Sequence, residues 1–310
     1  MKYSEIYCNS GLPPHRYRDI GLVKLNISVS LWNYIHYFPL RKGGTSFSFE
    51  GGLDSLERVV AEAVSAGYGI ELWPSWHSWE WTSPEREAMV SRSIDLYAEE
   101  HRERLAAMLR GVRSSWHTDG DNTLVGYQRK IDTVAAVGSS VLVAHAANLF
   151  LDGPEPDFDF AADVLRYAGE KGVKIALENA SEGEQDDDPT LWNLALMKRA
   201  IARFDELGIC LDTTHVQKFK RNPMSEYVDA LAARICHLHI SDALGDDVGV
   251  GRLHTQPGTG TIPVDDWLYL LDSLERAGFA GEAVLEIKPL TPVRIAQQTE
   301  TFFSSLGADG

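Results

Sequence analysis

Four short apolar runs in this chain each end in a side chain that can bind a metal ion. They are Lys174-Ile-Ala-Leu-Glu178-Asn179, Gly208-Ile-Cys-Leu-Asp212-Thr-Thr-His215, Ile235-Cys-His237-Leu-His239-Ile-Ser-Asp242 and Ala283-Val-Leu-Glu286-Ile-Lys288-Pro289. Each is rich in Val, Ile and Leu and short enough for a buried parallel strand. Stretches long enough for a helix separate them. A carboxylate taken out of water alone costs several kcal/mol. Three carboxylate ends and one imidazole end therefore belong together if they converge on a cation. Strand ends do converge in this way at the C-terminal mouth of a parallel barrel.

The expected ligands are Glu178, Asp212, His239 and Glu286, a hard set dominated by oxygen. One divalent ion, Mn²⁺ or Mg²⁺, suits it best, and Co²⁺ or Zn²⁺ is tolerated. Three anionic ligands leave a negative shell that a second cation or a proton would balance. His237 and His239 are two apart on one strand and share the inward direction. His239 lies nearer the strand's C-terminal end and is taken as the ligand, His237 as a hydrogen-bonded core histidine. His117, His145 and His215 lie at or just past strand ends, placed to add metal or substrate contacts.

Strand and helix signals alternate along the whole chain. Strands are expected at Leu22–Val29, Tyr68–Pro74, Val112–His117 and Val141–His145, ahead of the four described above. Helices are expected from Leu53 to Ala66, from Ser83 to about Arg110, from Leu124 to Val137 and from Phe158 to Glu170. The second opens on Ser83-Pro84-Glu85, with a capping hydroxyl, a first-turn proline and an acid. Gly67, Gly111, Gly138 and Gly172 mark the stops. Eight such units imply one (β/α)8 TIM barrel over residues 1–310, an α/β fold. Loop insertions are expected at about 73–83 and 242–263. The first carries Trp73, Trp76, Trp79 and Trp81, half of the eight tryptophans. They read either as a hydrophobic staple or as a surface for stacking on substrate. The second carries Arg252, His254 and Pro257-Gly-Thr-Gly260, which matches no phosphate-loop fingerprint. The acidic run Glu182–Asp188 reads as a solvated loop.

The 310 residues carry a formal net charge of -16, and 44% are hydrophobic. Nucleic-acid binding needs clustered Lys and Arg, and no basic stripe is present. The surface suits a small-molecule partner rather than DNA, RNA or an anionic membrane. Three cysteines without a Cys-x-x-Cys pair, and no apolar signal region at the N-terminus, lead to an expected cytoplasmic location.

The motifs Leu177-Glu178-Asn179, Leu211-Asp212-Thr-Thr-His215, His237-Leu-His239-Ile-Ser-Asp242, Pro257-Gly-Thr-Gly260 and Leu285-Glu286 resemble the xylose-isomerase-like barrel superfamily. That group joins sugar isomerases and epimerases to AP endonucleases of the endonuclease IV class. By this resemblance Glu178, Asp212, His239 and Glu286 take the ligand places of the epimerases, whose two glutamates also carry protons. His117, His145, His215 and His254 fall where the endonucleases have further histidine ligands. Arg252 stands where the endonucleases have an aspartate ligand, and a guanidinium has no lone pair to give. The leading expectation is a metal-dependent isomerase or epimerase, or a related dehydratase or lyase, of a keto-sugar or polyol. Its metal would hold a carbonyl and a neighbouring hydroxyl and stabilise an enediolate, with Glu178 and Glu286 moving the proton. His215, Arg252 and Lys288 are candidates to bind substrate oxygens. The alternative is a multinuclear-metal phosphodiesterase or AP endonuclease-like hydrolase. Assembly into a homo-oligomer is compatible with either.

Overall fold

The computed structural model describes residues 24–33, 47–49, 51–81, 89–118, 120–150, 156–179, 194–219, 224–244, 254–287 and 292–308. The described strands, in chain order, are β1 (Asn26–Ser30), β2 (Phe47–Phe49), β3 (Gly69–Leu72), β4 (Ser75–Trp81), β5 (Met89–Asp95), β6 (Ser114–His117), β7 (Val141–His145), β8 (Lys174–Glu178), β9 (Gly208–Asp212), β10 (Ile235–Ile240) and β11 (Glu282–Leu285). Eight of them close a parallel barrel in the order β1-β11-β10-β9-β8-β7-β6-β3. The expected (β/α)8 TIM barrel is the fold found. No described helix is long and apolar enough to cross a membrane.

Period-two alternation sorts each barrel strand into two faces. Ile27, Val29, Ile70, Leu72, Leu142, Ile175, Leu177, Ile209, Leu211, Leu238 and Leu285 join one large apolar cluster with the surrounding helices. The other face of each strand fills the barrel interior. There Val143, Ala176 and Cys210 form a small apolar cluster of their own. Their modest size leaves room for polar side chains at the same level, notably Glu71 and His237, both fully buried.

Helix ends follow local chemistry. Thr123 accepts from the Gly126 N–H at the start of the helix Leu124–Ala136, and Asp157 accepts from the Asp159 and Phe160 N–H groups before Phe158–Glu170. Gly138 and Gly172, the expected stops of these two helices, take φ of +80° and +71°, values that a side chain disfavours.

The helix expected from Ser83 to Arg110 is corrected. Residues 82–88 lie outside those described; beyond them Met89–Asp95 is strand β5, then a 3₁₀ turn (Glu99–His101) and a short helix (Arg102–Met108). β5 pairs antiparallel with β4 over seven residue pairs, from Ser75↔Asp95 to Trp81↔Met89, and β2 adds to the other edge of β4. A long-range ladder of main-chain hydrogen bonds has overridden a good local helix-start signal. The segment at 73–83, expected as a loop insertion, is likewise largely strand.

After β10 the chain is held by one buried carboxylate. Asp242 accepts hydrogen bonds from the N–H groups of Ala243, Gly258, Gly260 and Ile262, at 2.8 to 3.1 Å. A Cβ on Gly260 would stand 2.2 Å from Asp242 Oδ1, so only glycine fits that approach. Asp242→Ala should lower unfolding stability in urea by about 3 kcal/mol or more, since several buried N–H groups lose a charged acceptor. A change under about 1 kcal/mol would mean that the segment is held in some other way.

Candidate metal centre and active site

The barrel brings Glu178, Asp212, His239 and Glu286 to one point. One ligand atom from each lies within 4.8 Å of the others, and all four residues are buried. Strand register sets this up: His239 and Asp212 are direct partners on β10 and β9, and Glu286 follows the last residue of β11. Asparagine clamps fix the strand ends. Asn179 donates to the Asp212 carbonyl and accepts from the Asp212 N–H. Asn33 donates to the Leu285 carbonyl and accepts from the Ile287 N–H, gripping both sides of Glu286.

His239 is the hub. Its Nδ1 lies 3.0 Å from Glu178 Oε1, 3.7 Å from Glu286 Oε1 and 4.0 Å from Asp212 Oδ2. Asp212 Oδ2 and Glu286 Oε1 are buried and accept no hydrogen bond from any described residue. Two partnerless carboxylate oxygens facing one imidazole nitrogen are costly unless a cation joins them. The electrostatics agree. Burial pushes the Glu286 carboxyl well up; His239 opposes this, while Glu178, Glu71 and Asp212 add to it. Burial likewise raises Asp212. Burial also works against charge on Glu178, but the facing histidines outweigh it and hold that carboxyl well below the usual range. Without an ion, the cluster cannot keep all its carboxylates charged comfortably; a divalent cation relieves the strain. The residues present therefore fit a hard divalent metal.

Glu178 has a second side. Its Oε2 lies 3.0 Å from His117 Nε2 and 3.0 Å from His145 Nε2. His117 Nδ1 donates to the Thr118 carbonyl at 2.7 Å, which leaves Nε2 directed at the carboxylate. His117, His145 and Glu178 form a further group with ligand spacing. His215 sits on the Oε1 side, 3.4 Å away through Nδ1, and donates from that atom to the Asn179 carbonyl. Its Nε2 lies 3.7 Å from Asp212 Oδ2.

His254 reaches the site from the segment beyond β10. It is the one described non-glycine residue with positive φ, at 61°, a costly conformation for an imidazole side chain. Its Nδ1 lies 3.2 Å from Ser241 Oγ and 3.8 Å from Glu286 Oε2. Trp73 stacks on His117 with ring centres 4.3 Å apart and planes 11° apart, and its indole N–H donates to Ser30 Oγ. Trp32 packs on His254 at 4.8 Å. In the tryptophan segment, Trp76 is buried and donates to Ser55 Oγ as a staple, while Trp73 borders the candidate site. Arg252 and Lys288 lie outside the described residues.

Sequence reasoning missed Glu71. This β3 carboxylate is fully buried, and its Oε2 lies 3.0 Å from His237 Nε2 and 3.2 Å from His239 Nε2. Burial opposes its charge, but His239 and His237 prevail and keep the carboxyl well below its normal range. His237 is thus the hydrogen-bonded core histidine expected of it. The missed signal is an acid flanked by apolar residues in Gly69-Ile-Glu71-Leu72, which no solvent-exposed strand face could explain.

A sequence model of the xylose isomerase-like TIM barrel family matches residues 60–302. The chain belongs to this family. Three solved structures illustrate how members share the barrel. A D-tagatose 3-epimerase-like protein is 17% identical, with 91% of this chain and 97% of that one covered and a TM-score of 0.60. The D-allulose 3-epimerase of Methylomonas sp. in complex with D-allulose is 15% identical, covering 92% and 99%, with a TM-score of 0.59. A Thermus thermophilus protein soaked with zinc chloride is 19% identical, covering 92% and 99%, with a TM-score of 0.56. At these identities the likeness is one of fold. No curated protein matches the chain in sequence.

Proposed function

We propose that this protein is a divalent-metal-dependent isomerase or epimerase of a keto-sugar or related polyol. The observation that carries this reading is the cluster of Glu178, Asp212, His239 and Glu286, with two buried carboxylate oxygens that lack a hydrogen-bond partner among the described residues. Those four residues would hold the ion, Mn²⁺ or Mg²⁺ by the chemistry of the donors. When bound, it supplies Lewis-acid polarisation of a substrate carbonyl. Glu178 and Glu286 enter from β8 and from the end of β11, so they can flank a substrate carbon, one removing its proton and the other returning one. His215 and His254 would bind substrate hydroxyls. Trp73 and Trp32 offer aromatic faces to sugar C–H groups. Family membership supports the reading, as do the D-tagatose 3-epimerase-like and D-allulose 3-epimerase structures that share the fold. Expulsion of a leaving group from the next carbon would turn the same machinery into a dehydratase or lyase.

A second reading rests on His117 and His145 at Glu178 Oε2. His117, His145 and Glu178 would hold a second ion, which would suit phosphodiester hydrolysis. The net charge of -16 and the absence of a basic stripe weigh against a nucleic-acid substrate.

Elemental analysis of purified protein, combined with conversion of a panel of ketoses, tests the proposal. One Mn²⁺ or Mg²⁺ per chain and interconversion of a ketose pair are expected. Two or three Zn²⁺ per chain with phosphodiesterase activity would replace it with the hydrolase. In parallel, duplex and abasic DNA should show no measurable retention at physiological salt. Salt-dependent binding, or cleavage at the abasic site, would overturn the choice of substrate class.

A further inference from the structure

Beneath the four-residue cluster, on the barrel axis, lies the carboxylate of Glu71. Its Oε2 sits 3.0 Å from His237 Nε2, 3.2 Å from His239 Nε2 and 3.2 Å from Ser115 Oγ, and all four residues are buried. Glu71 is held from two sides, by β10 and by β6, and faces the side of His239 opposite the cluster. His239 thus has Nε2 toward Glu71 and Nδ1 toward Glu178, Glu286 and Asp212.

Nδ1 faces the three cluster carboxylates and Nε2 faces Glu71. An ion among the three would take the Nδ1 lone pair, and the neutral imidazole would then carry its one proton on Nε2, where Glu71 can accept it. We infer that Glu71 is a positioning residue, fixing His239 as the tautomer protonated on Nε2 so that Nδ1 presents its lone pair to the three cluster carboxylates. This rests on the metal-dependent reading above and adds a residue that none of the ligand motifs contains. A carboxylate behind a ligating imidazole also raises the basicity of the ligand nitrogen. A merely space-filling role would be served by leucine, without the cost of burying an anion. His237 and Ser115 aim the carboxylate, which explains a second buried histidine that points inward yet lies too deep to reach the cluster.

The test uses the full-length protein labelled with ¹⁵N, with and without Zn²⁺, a diamagnetic probe ion. Long-range ¹H–¹⁵N correlation reads which nitrogen of His239 carries the proton. A proton on Nε2, retained when Zn²⁺ binds, is expected. In Glu71→Leu no acceptor is left for the Nε2 proton, so nothing holds it there and Nδ1 loses its fixed lone pair. Zn²⁺ affinity should fall about 10–100-fold, the usual loss when the partner behind a ligand is changed, and the His239 nitrogen shifts should change in the metal-free protein as well. A folded Glu71→Leu protein with wild-type Zn²⁺ affinity and unchanged His239 shifts would overturn the inference. Should that variant fail to fold, the wild-type spectrum decides alone: a bare Nε2 with the proton on Nδ1 would sink it. A wild-type protein that binds no divalent ion, yet carries the Nε2 proton facing Glu71, would remove the metal-dependent reading and leave the role of Glu71 standing.

Discussion

Glu178→Gln and Glu286→Gln should each slow turnover by at least about 10²–10⁴-fold, the usual contribution of a positioned acid or base. The substitution keeps the shape and one potential ligand oxygen but removes the proton acceptor. Both carboxylates sit where the ends of β8 to β11 meet, beside His239. If a C–H bond breaks there, the proton rests on a glutamate before its return. Turnover in D₂O should therefore place deuterium on a substrate carbon, and a substrate deuterated at that carbon should react more slowly. Hydrolysis breaks no C–H bond and leaves no such mark. Conversion of the true substrate with neither solvent deuterium in the product nor a C–H isotope effect would eliminate the proton-transfer reading altogether.

The second large effect concerns Asp212. Asp212→Ala should abolish activity and most metal binding. Its Oδ2 is one of the two partnerless oxygens, while Oδ1 accepts the His215 N–H at 2.9 Å. The variant loses a ligand and the anchor of a neighbouring histidine together. Its stability should show the change in a specific way. An ion bound only by the folded state adds about 2.7 kcal/mol at a hundredfold excess over its dissociation constant. Wild-type protein should therefore melt at a higher temperature with Mn²⁺ than with chelator, and Asp212→Ala should melt at the same temperature in both. Full metal occupancy and activity in Asp212→Ala would mean that the centre has been placed on the wrong residues.

How much of this was legible in the sequence differs along the chain. Strands β7 to β11 were readable because each is a Val/Ile/Leu run punctuated by a polar end, and a strand covered on both faces leaves few other interpretations. Observed bounds match the expected ones at Val141–His145 and Lys174–Glu178. The region from 75 to 95 was misread for a physical reason. Ser83-Pro84-Glu85 is a strong local cap signature, whereas the β4–β5 pairing is a property of two segments together and leaves no comparable local trace. The cluster was legible through its ligands, since a chemical type at a strand end is visible in one dimension. Glu71, Asn179 and Asn33 were not marked as contributors, because what they do depends on residues 33 to 254 positions away. Asn179 stood inside a quoted motif, but its grip on the Asp212 backbone exists only across two strands.

Barrel closure has a consequence for biosynthesis. The pairing that completes the ring joins β1 to β11, with Asn26 opposite Glu282, so the first strand waits for nearly the last. A chain emerging from the ribosome already carries Glu71, Glu178, Asp212 and His239 well before it carries Glu286. During that interval a partial centre lacks both its fourth ligand and the closing edge that holds Glu286 in line through Asn33. Any ion capture by the full cluster would be deferred until β11 has been made, and a fragment truncated before β11 should compete poorly for metal with molecules that contain it.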